Sequence, residues 1–119
     1  MKVYEGIRGP EGVLVTVGGT PLDPRLDLRQ HSMDGFEWGY EGGGPQQLAL
    51  ALLADALGDD SKALAEYREF VKTTIVHLEE QGWSLTDTQI RQTISSVVQV
   101  NMTLEQLFAK VRGQDQEEE

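Results

Sequence analysis

The chain has 119 residues, no cysteine and a formal net charge of −10, with 20 acidic and 10 basic side chains. This length predicts one ordinary domain that can bury a core without covalent cross-links. The absence of cysteine excludes disulfides and cysteine metal sites. The acidic balance argues against direct binding to nucleic acid or to a membrane, because both surfaces are polyanions.

The predicted organisation is a single domain over residues 1–112 and an acidic tail over residues 113–119. The tail, GQDQEEE, has nothing apolar to bury and is predicted to be disordered. The first residues contain no apolar stretch like that of a secretory leader, and no apolar run is long enough to cross a bilayer. We therefore expect a cytoplasmic protein.

The N-terminal third has the pattern of a small antiparallel sheet. Residues 2–8 alternate between polar and apolar side chains, residues 11–19 are rich in β-branched residues, and a Gly-Pro-Glu-Gly turn lies between them. This pattern predicts a β-hairpin. The segment that follows contains two prolines and is predicted to be irregular, whereas the aromatic pair Phe36 and Trp38 predicts a short third strand.

The run LALALLADAL after Pro45 predicts a central helix. Alanine and leucine are strong helix formers, Pro45 stands where the first residue of a helix favours proline, and Gly58 stands where a helix end favours glycine. Because the run is apolar on almost every side, we expect this helix to be buried at the centre of the fold.

A second helix is predicted directly after the first. Asp59, Asp60 and Ser61 offer capping oxygens, and apolar residues then repeat at steps of three and four until Gly82. The short acidic link between the two helices predicts a helical hairpin.

One or two more helices are predicted towards the C-terminus. Ser84 or Thr86 can cap a third helix with Ile90 and Ile94 on its apolar side, and a capping-box pattern opens a short last helix at Thr103. The predicted fold class is therefore α+β: a small antiparallel N-terminal sheet packed on a helical hairpin, plus one or two further C-terminal helices.

The glycine-rich turn before the central helix is the first candidate site. Glycines before a helix can turn backbone N–H groups towards an anion, and aromatic residues beside them can stack on a ligand. The loop lacks the lysine of a phosphate-binding loop, and its glycines do not have the dinucleotide-binding spacing. The alternative is structural: glycine is needed for positive φ and for close approach to the helix. The candidate ligand-binding residues are Trp38, Tyr40, Gly42, Gly43, Gly44, Gln46 and Gln47.

A stretch of charge of one sign is the second candidate site. No lysine or arginine occurs between Gln30 and Ser61, whereas six acidic residues do. Such a surface attracts a basic partner, for example a nucleic-acid-binding protein, although two of the acids also fit helix caps. The candidate partner-binding residues are Asp34, Glu37, Glu41, Asp59 and Asp60.

No catalytic or metal-binding pattern is present in the sequence. The spacing of His31, Asp34 and Glu37 matches no familiar metal site, and no hydrolase or metalloprotease motif occurs. We therefore expect no catalytic residue, no metal and no cofactor. The sequence leaves the oligomeric state and any enzymatic role open.

The segment FEWGYEGGGPQQLALALLADALGDD, together with Tyr67, Phe70 and the later GWSLT, resembles a family of small bacterial and phage proteins that is catalogued as a domain of unknown function. The resemblance covers about residues 3–90. Glu41 stands where the family commonly has glycine, which makes the loop of this chain more acidic. The matching residues are Phe36, Trp38, Gly39, Tyr40, Gly42, Gly44, Pro45, Gln47, Leu48, Ala49, Leu50 and Ala51.

The resemblance implies no established activity. Its members resemble cargo of phages and mobile elements, which implies a role in conflict between phage and host. The first expectation is therefore a non-enzymatic interaction protein, an inhibitor of a host defence system such as an anti-CRISPR protein, that binds a basic nucleic-acid-binding protein through an acidic face. The alternative expectation is a small-ligand-binding domain or minor enzyme that uses the glycine-rich loop at 38–47.

Overall fold

The computed structural model describes residues 1–94, which form an α+β domain. A 3-10 turn over Ile75–His77 follows the second helix, and residues 87–94 are helical. The predicted fold class is confirmed. The strands are β1 (Val3–Gly9), β2 (Gly12–Val17), β3 (Thr20–Pro21) and β4 (Gly82–Thr86), and the two long helices are α1 (Gly43–Leu57) and α2 (Asp60–Thr73).

The four strands form one antiparallel sheet in the order β3-β2-β1-β4. β1 and β2 pair as the predicted hairpin, closed at Gly9 and Gly12. Because side chains alternate between the two faces, Tyr4 and Val15 are buried in the core, whereas Ile7 and Leu14 stand opposite each other on the exposed face.

α1 is the buried helix at the centre of the fold, as the sequence predicts. Every residue from Leu48 to Leu53 is fully buried. The predicted start at Pro45 is wrong by two residues, because the helix begins at Gly43. Pro45 still lies inside the first turn, where the N–H that proline lacks would have no partner within the helix. Gly58 ends the helix in the left-handed conformation, with φ of 64°.

The helical hairpin is also confirmed. The side chain of Asp59 accepts a hydrogen bond from the backbone N–H of Lys62 at 3.0 Å, and this cap begins α2. Tyr67, Phe70 and Val71 of α2 are buried in the core shared with α1.

Two predictions about the strands are wrong. The segment GWSLT, which the sequence assigned to the region between two helices, forms β4 beside β1, and α2 ends at Thr73 instead of reaching Gly82. The predicted strand at 36–38 is irregular. The side chains of this segment hold it by other contacts, because Trp38 packs edge-on against Trp83 and Glu37 binds Arg8.

The third helix begins at the predicted cap. Thr86 Oγ1 accepts from the N–H of Gln89 at 3.0 Å, and Gln89 Oε1 accepts from the N–H of Thr86 at 2.9 Å, which is a reciprocal capping box. Ile90 and Ile94 are buried in the core. The predictions of a last helix, a domain boundary at residue 112 and a disordered tail lie outside the described residues.

Candidate functional site

The glycine turn before α1 is shaped by close packing. None of Gly42, Gly43 and Gly44 has a φ in the left-handed region that favours glycine, so the prediction that these three residues need such a φ is wrong. A Cβ atom at Gly43 would collide with the carbonyl oxygen of His31, and one at Gly44 would lie 2.7 Å from the Cβ of Glu37. Close approach of neighbouring chain is therefore the reason for glycine at these two positions.

Gln47 holds the loop that precedes this turn. Its side chain is fully buried, and Oε1 accepts from the N–H of His31 at 2.7 Å and from the N–H of Ser32 at 3.3 Å. Its Nε2 donates to the carbonyl oxygens of Pro24 at 2.6 Å and Arg29 at 3.0 Å. Every hydrogen-bonding group of this amide is used inside the protein, so the structure gives Gln47 a structural role.

His31 ties the same loop to α2. Its Nε2 lies 2.6 Å from the hydroxyl oxygen of Tyr67. Burial lowers the pKa of His31, and the nearby cations Arg68 and Arg29 lower it further. The lowered pKa favours the neutral imidazole, which shares one hydrogen bond with the tyrosine hydroxyl.

Trp38 anchors the turn in the core. Only 2% of this residue is exposed, and its Nε1 donates to the carbonyl oxygens of Glu79 at 2.8 Å and Glu80 at 3.1 Å. Its ring meets the ring of Trp83 edge-on, with centroids 5.6 Å apart. These contacts are those of a structural aromatic residue.

Arg8 and Glu37 form a bidentate ion pair beside Trp38. The two guanidinium nitrogens lie 2.8 and 3.1 Å from the carboxylate oxygens, and the guanidinium carbon lies 4.8 Å from the centre of the Trp38 ring. Hydrogen bonding to Arg8 holds the pKa of Glu37 below its ordinary value. The negative charge of Glu37 is therefore largely offset within the protein.

Residues 1–94 line three surface hollows around the turn. The first hollow has a volume of about 490 Å³ and is lined by Trp38 and Tyr40 among others. The second has a volume of about 390 Å³ and is called the acidic cleft. A third hollow of about 230 Å³ is lined by Glu41, Gln46, Arg68, Val71 and Lys72. The acidic cleft is lined by Glu11, Gly12, Val13, Ser32, Asp34, Gly35, Phe36, Glu37, Tyr40 and Gly44.

The candidate ligand-binding residues do not converge on one of these hollows. Trp38 belongs to the first, Gly44 to the second and Gln46 to the third, while Tyr40 lines the first two. Gln47 is fully enclosed. Within residues 1–94, these seven residues therefore do not line one of the three hollows together.

The candidate acidic residues fall into two groups at opposite ends of α1. Asp34 and Glu37 line the acidic cleft near the start of the helix, and Glu41 lies in the neighbouring hollow. Asp59 and Asp60 follow its end, about 20 Å away at the usual rise of a helix.

The two acids after α1 already have partners. Asp59 caps α2, and the carboxylate of Asp60 binds the guanidinium of Arg25 at 2.9 and 3.1 Å. The acidic cleft instead gains Glu11, which sequence reasoning missed. Glu11 lies in the hairpin turn, outside the stretch without lysine or arginine, and no local pattern connects it with Asp34.

Metal-ligating side chains are not gathered anywhere in residues 1–94 in a group of three that could hold an ion. His31 contacts Tyr67 and Glu37 contacts Arg8, so their polar atoms serve contacts within the protein. Over the same part of the chain, no helix has both the length and the apolar composition needed to cross a membrane.

The fold and the packed turn define a small α+β domain whose distinctive residues lie at the start of α1. A model of a family of unknown function, DUF6166, matches residues 4–96, and the chain belongs to this family. Neither the curated proteins nor the solved structures include a significant match to the chain.

Proposed function

We propose that this protein is a non-enzymatic interaction protein that binds a basic segment of another protein through the acidic cleft. The observation that carries the proposal is the lining of the cleft, which includes the carboxylates of Glu11, Asp34 and Glu37 and, within residues 1–94, no lysine, arginine or histidine. Opposite charge speeds encounter with a partner and orients it.

The unpaired acids of the cleft supply its attraction for cations. Glu37 is held by Arg8, whereas Glu11 and Asp34 form no ion pair with other residues of the described range 1–94. A cation in the cleft can therefore bind these two carboxylates without displacing an ion-pair partner within residues 1–94.

Exposed apolar side chains beside the cleft add contact area. Tyr40, in its lining, is 51% exposed, and Met33, next to Asp34 in the chain, is 71% exposed. A tyrosine ring attracts the guanidinium or ammonium group of a basic side chain, and methionine adapts to varied partner surfaces. These features favour a peptide segment over a simple inorganic cation.

A binding assay with matched charge variants tests the proposal. The probe is a fluorescent arginine- and lysine-rich peptide, and the test variant is Glu11→Gln combined with Asp34→Asn. The control variant is Glu5→Gln combined with Glu69→Gln, because both residues are exposed and neither lines the cleft. Each double variant removes two negative charges, so any general electrostatic effect is the same.

The cleft variant should bind at least about tenfold more weakly than the control variant. Association of the wild-type protein should also slow as salt rises, because exposed charges are screened. Equal affinity of the two variants would show that net charge alone attracts the peptide, and the proposal would be wrong.

A role as a phage or mobile-element inhibitor of a host defence system is a finer proposal, supported only by the sequence resemblance. Plating phage on cells that express either the wild-type chain or the cleft variant tests it. The alternative of a small-ligand-binding domain has less support, because its candidate residues are distributed over three hollows or are enclosed.

A further inference from the structure

The two edges of the sheet differ in how they are protected against pairing with another strand. β3, at one edge, is two residues long and contains Pro21, and short length and proline are common protections of an edge. β4, at the other edge, has five residues, with no proline and no charged side chain. Within residues 1–94, the edge formed by β4 therefore lacks these protections.

The backbone hydrogen bonds show which groups of β4 face outwards. The N–H of Arg8 donates to the carbonyl oxygen of Gln81, and the N–H of Asp87 donates to that of Lys2, each at 3.0 Å. In an antiparallel ladder, every second residue of a strand exchanges backbone hydrogen bonds with the neighbouring strand. Because residues 81 and 87 bond to β1, residues 83 and 85 between them do so as well. The N–H and C=O groups of Gly82 and Ser84 must then point away from β1, and the side chain of Ser84 is exposed.

We propose that two copies of this chain associate by antiparallel pairing of their β4 strands about a two-fold axis at Ser84. The two four-stranded sheets then form one continuous sheet. Ser84 lies opposite Ser84 of the second copy, where the two residues exchange N–H···O=C hydrogen bonds, and Gly82 lies opposite Thr86, whose own N–H already donates to Gln89. Trp83 lies opposite Leu85 of the second copy, which brings two half-buried apolar side chains together on the core side of the sheet.

The composition of β4 allows this pairing. A net charge of −10 repels a second copy in general, so the local arrangement has to avoid opposed acids. The strand Gly82–Thr86 contains no charged side chain, so its self-pairing brings no like charges opposite each other within the strand.

Charge substitution on the axis tests this proposal. Ser84→Glu and Ser84→Lys each place a charge opposite its own copy, whereas a mixture of the two variants places opposite charges across the axis. Ser61→Glu and Ser61→Lys are the control variants, because Ser61 is an exposed serine on α2, away from the sheet. Sedimentation equilibrium measures the mass, and thermal melts confirm that each variant is folded.

The wild-type mass should rise from 13.2 kDa towards twice that value as concentration increases. Each Ser84 variant alone should remain a monomer, an equimolar mixture of the two should form dimers, and the Ser61 variants should behave as wild type. A wild-type protein that stays monomeric up to about 1 mM would overturn the proposal. Unchanged association of the single Ser84 variants, or a mixture that stays monomeric, would also overturn it.

Hydrogen exchange of the wild-type protein provides a test that needs no variant. Exchange of the Gly82 and Ser84 amides should slow as protein concentration rises, because the second copy accepts their hydrogen bonds. Concentration-independent exchange at both amides would contradict pairing through β4.

Discussion

Replacement of Gln47 by leucine removes a buried polar contact that holds residues 24–32 against α1. Three hydrogen bonds of the amide are 3.0 Å or shorter, and a fourth is 3.3 Å. At about 1 kcal/mol for each of the three shorter bonds, Gln47→Leu loses about 3 kcal/mol, and new apolar contacts of the leucine offset part of this. We expect a net loss of about 2 kcal/mol in the free energy of unfolding.

Urea unfolding of the wild-type protein and of Gln47→Leu measures this loss directly. Gln46→Leu is the matched control, because Gln46 is the preceding glutamine on the same turn of helix and makes no side-chain hydrogen bond within residues 1–94. Limited proteolysis should cut the Gln47→Leu variant faster within residues 24–32. If the two variants unfold at the same urea concentration, the amide does not hold the loop and the argument is wrong.

Two further predictions concern the same region. Gly43→Ala should destabilise the protein by about 1–3 kcal/mol, because its methyl group meets the backbone of His31. Gly42→Ala should cost less, because its methyl group meets only the exposed ring of Tyr40, and equal losses in thermal or urea unfolding would contradict this. The pKa of His31 is lowered from 6.5 in the folded protein, so the unfolded chain binds a proton at a higher pH than the folded protein does. The free energy of unfolding therefore falls as the pH drops below about 6.5. His31→Gln should lose less stability than wild type between about pH 7 and pH 5.5 in urea unfolding, and identical losses would show that this histidine does not contribute.

The sequence by itself determined the elements that local interactions build. The β1–β2 hairpin follows from alternating side chains and a short turn, and α1 follows from its leucine and alanine run between Pro45 and Gly58. The start of α2 follows from the side chain of Asp59, which caps the N–H of a residue three positions away. Each of these signals acts within a few residues, so a pattern in the chain is enough to reveal it.

Only the tertiary structure decided the position of β4 and the composition of the candidate site. GWSLT becomes a strand because β1, more than 70 residues earlier in the chain, offers it a free side, and Gly6 leaves room for the ring of Trp83. Glu11 joins Asp34 in the acidic cleft only after the hairpin has packed beside the loop. These features depend on contacts between distant segments, and the period of a side-chain pattern carries no information about which distant segment will be the neighbour.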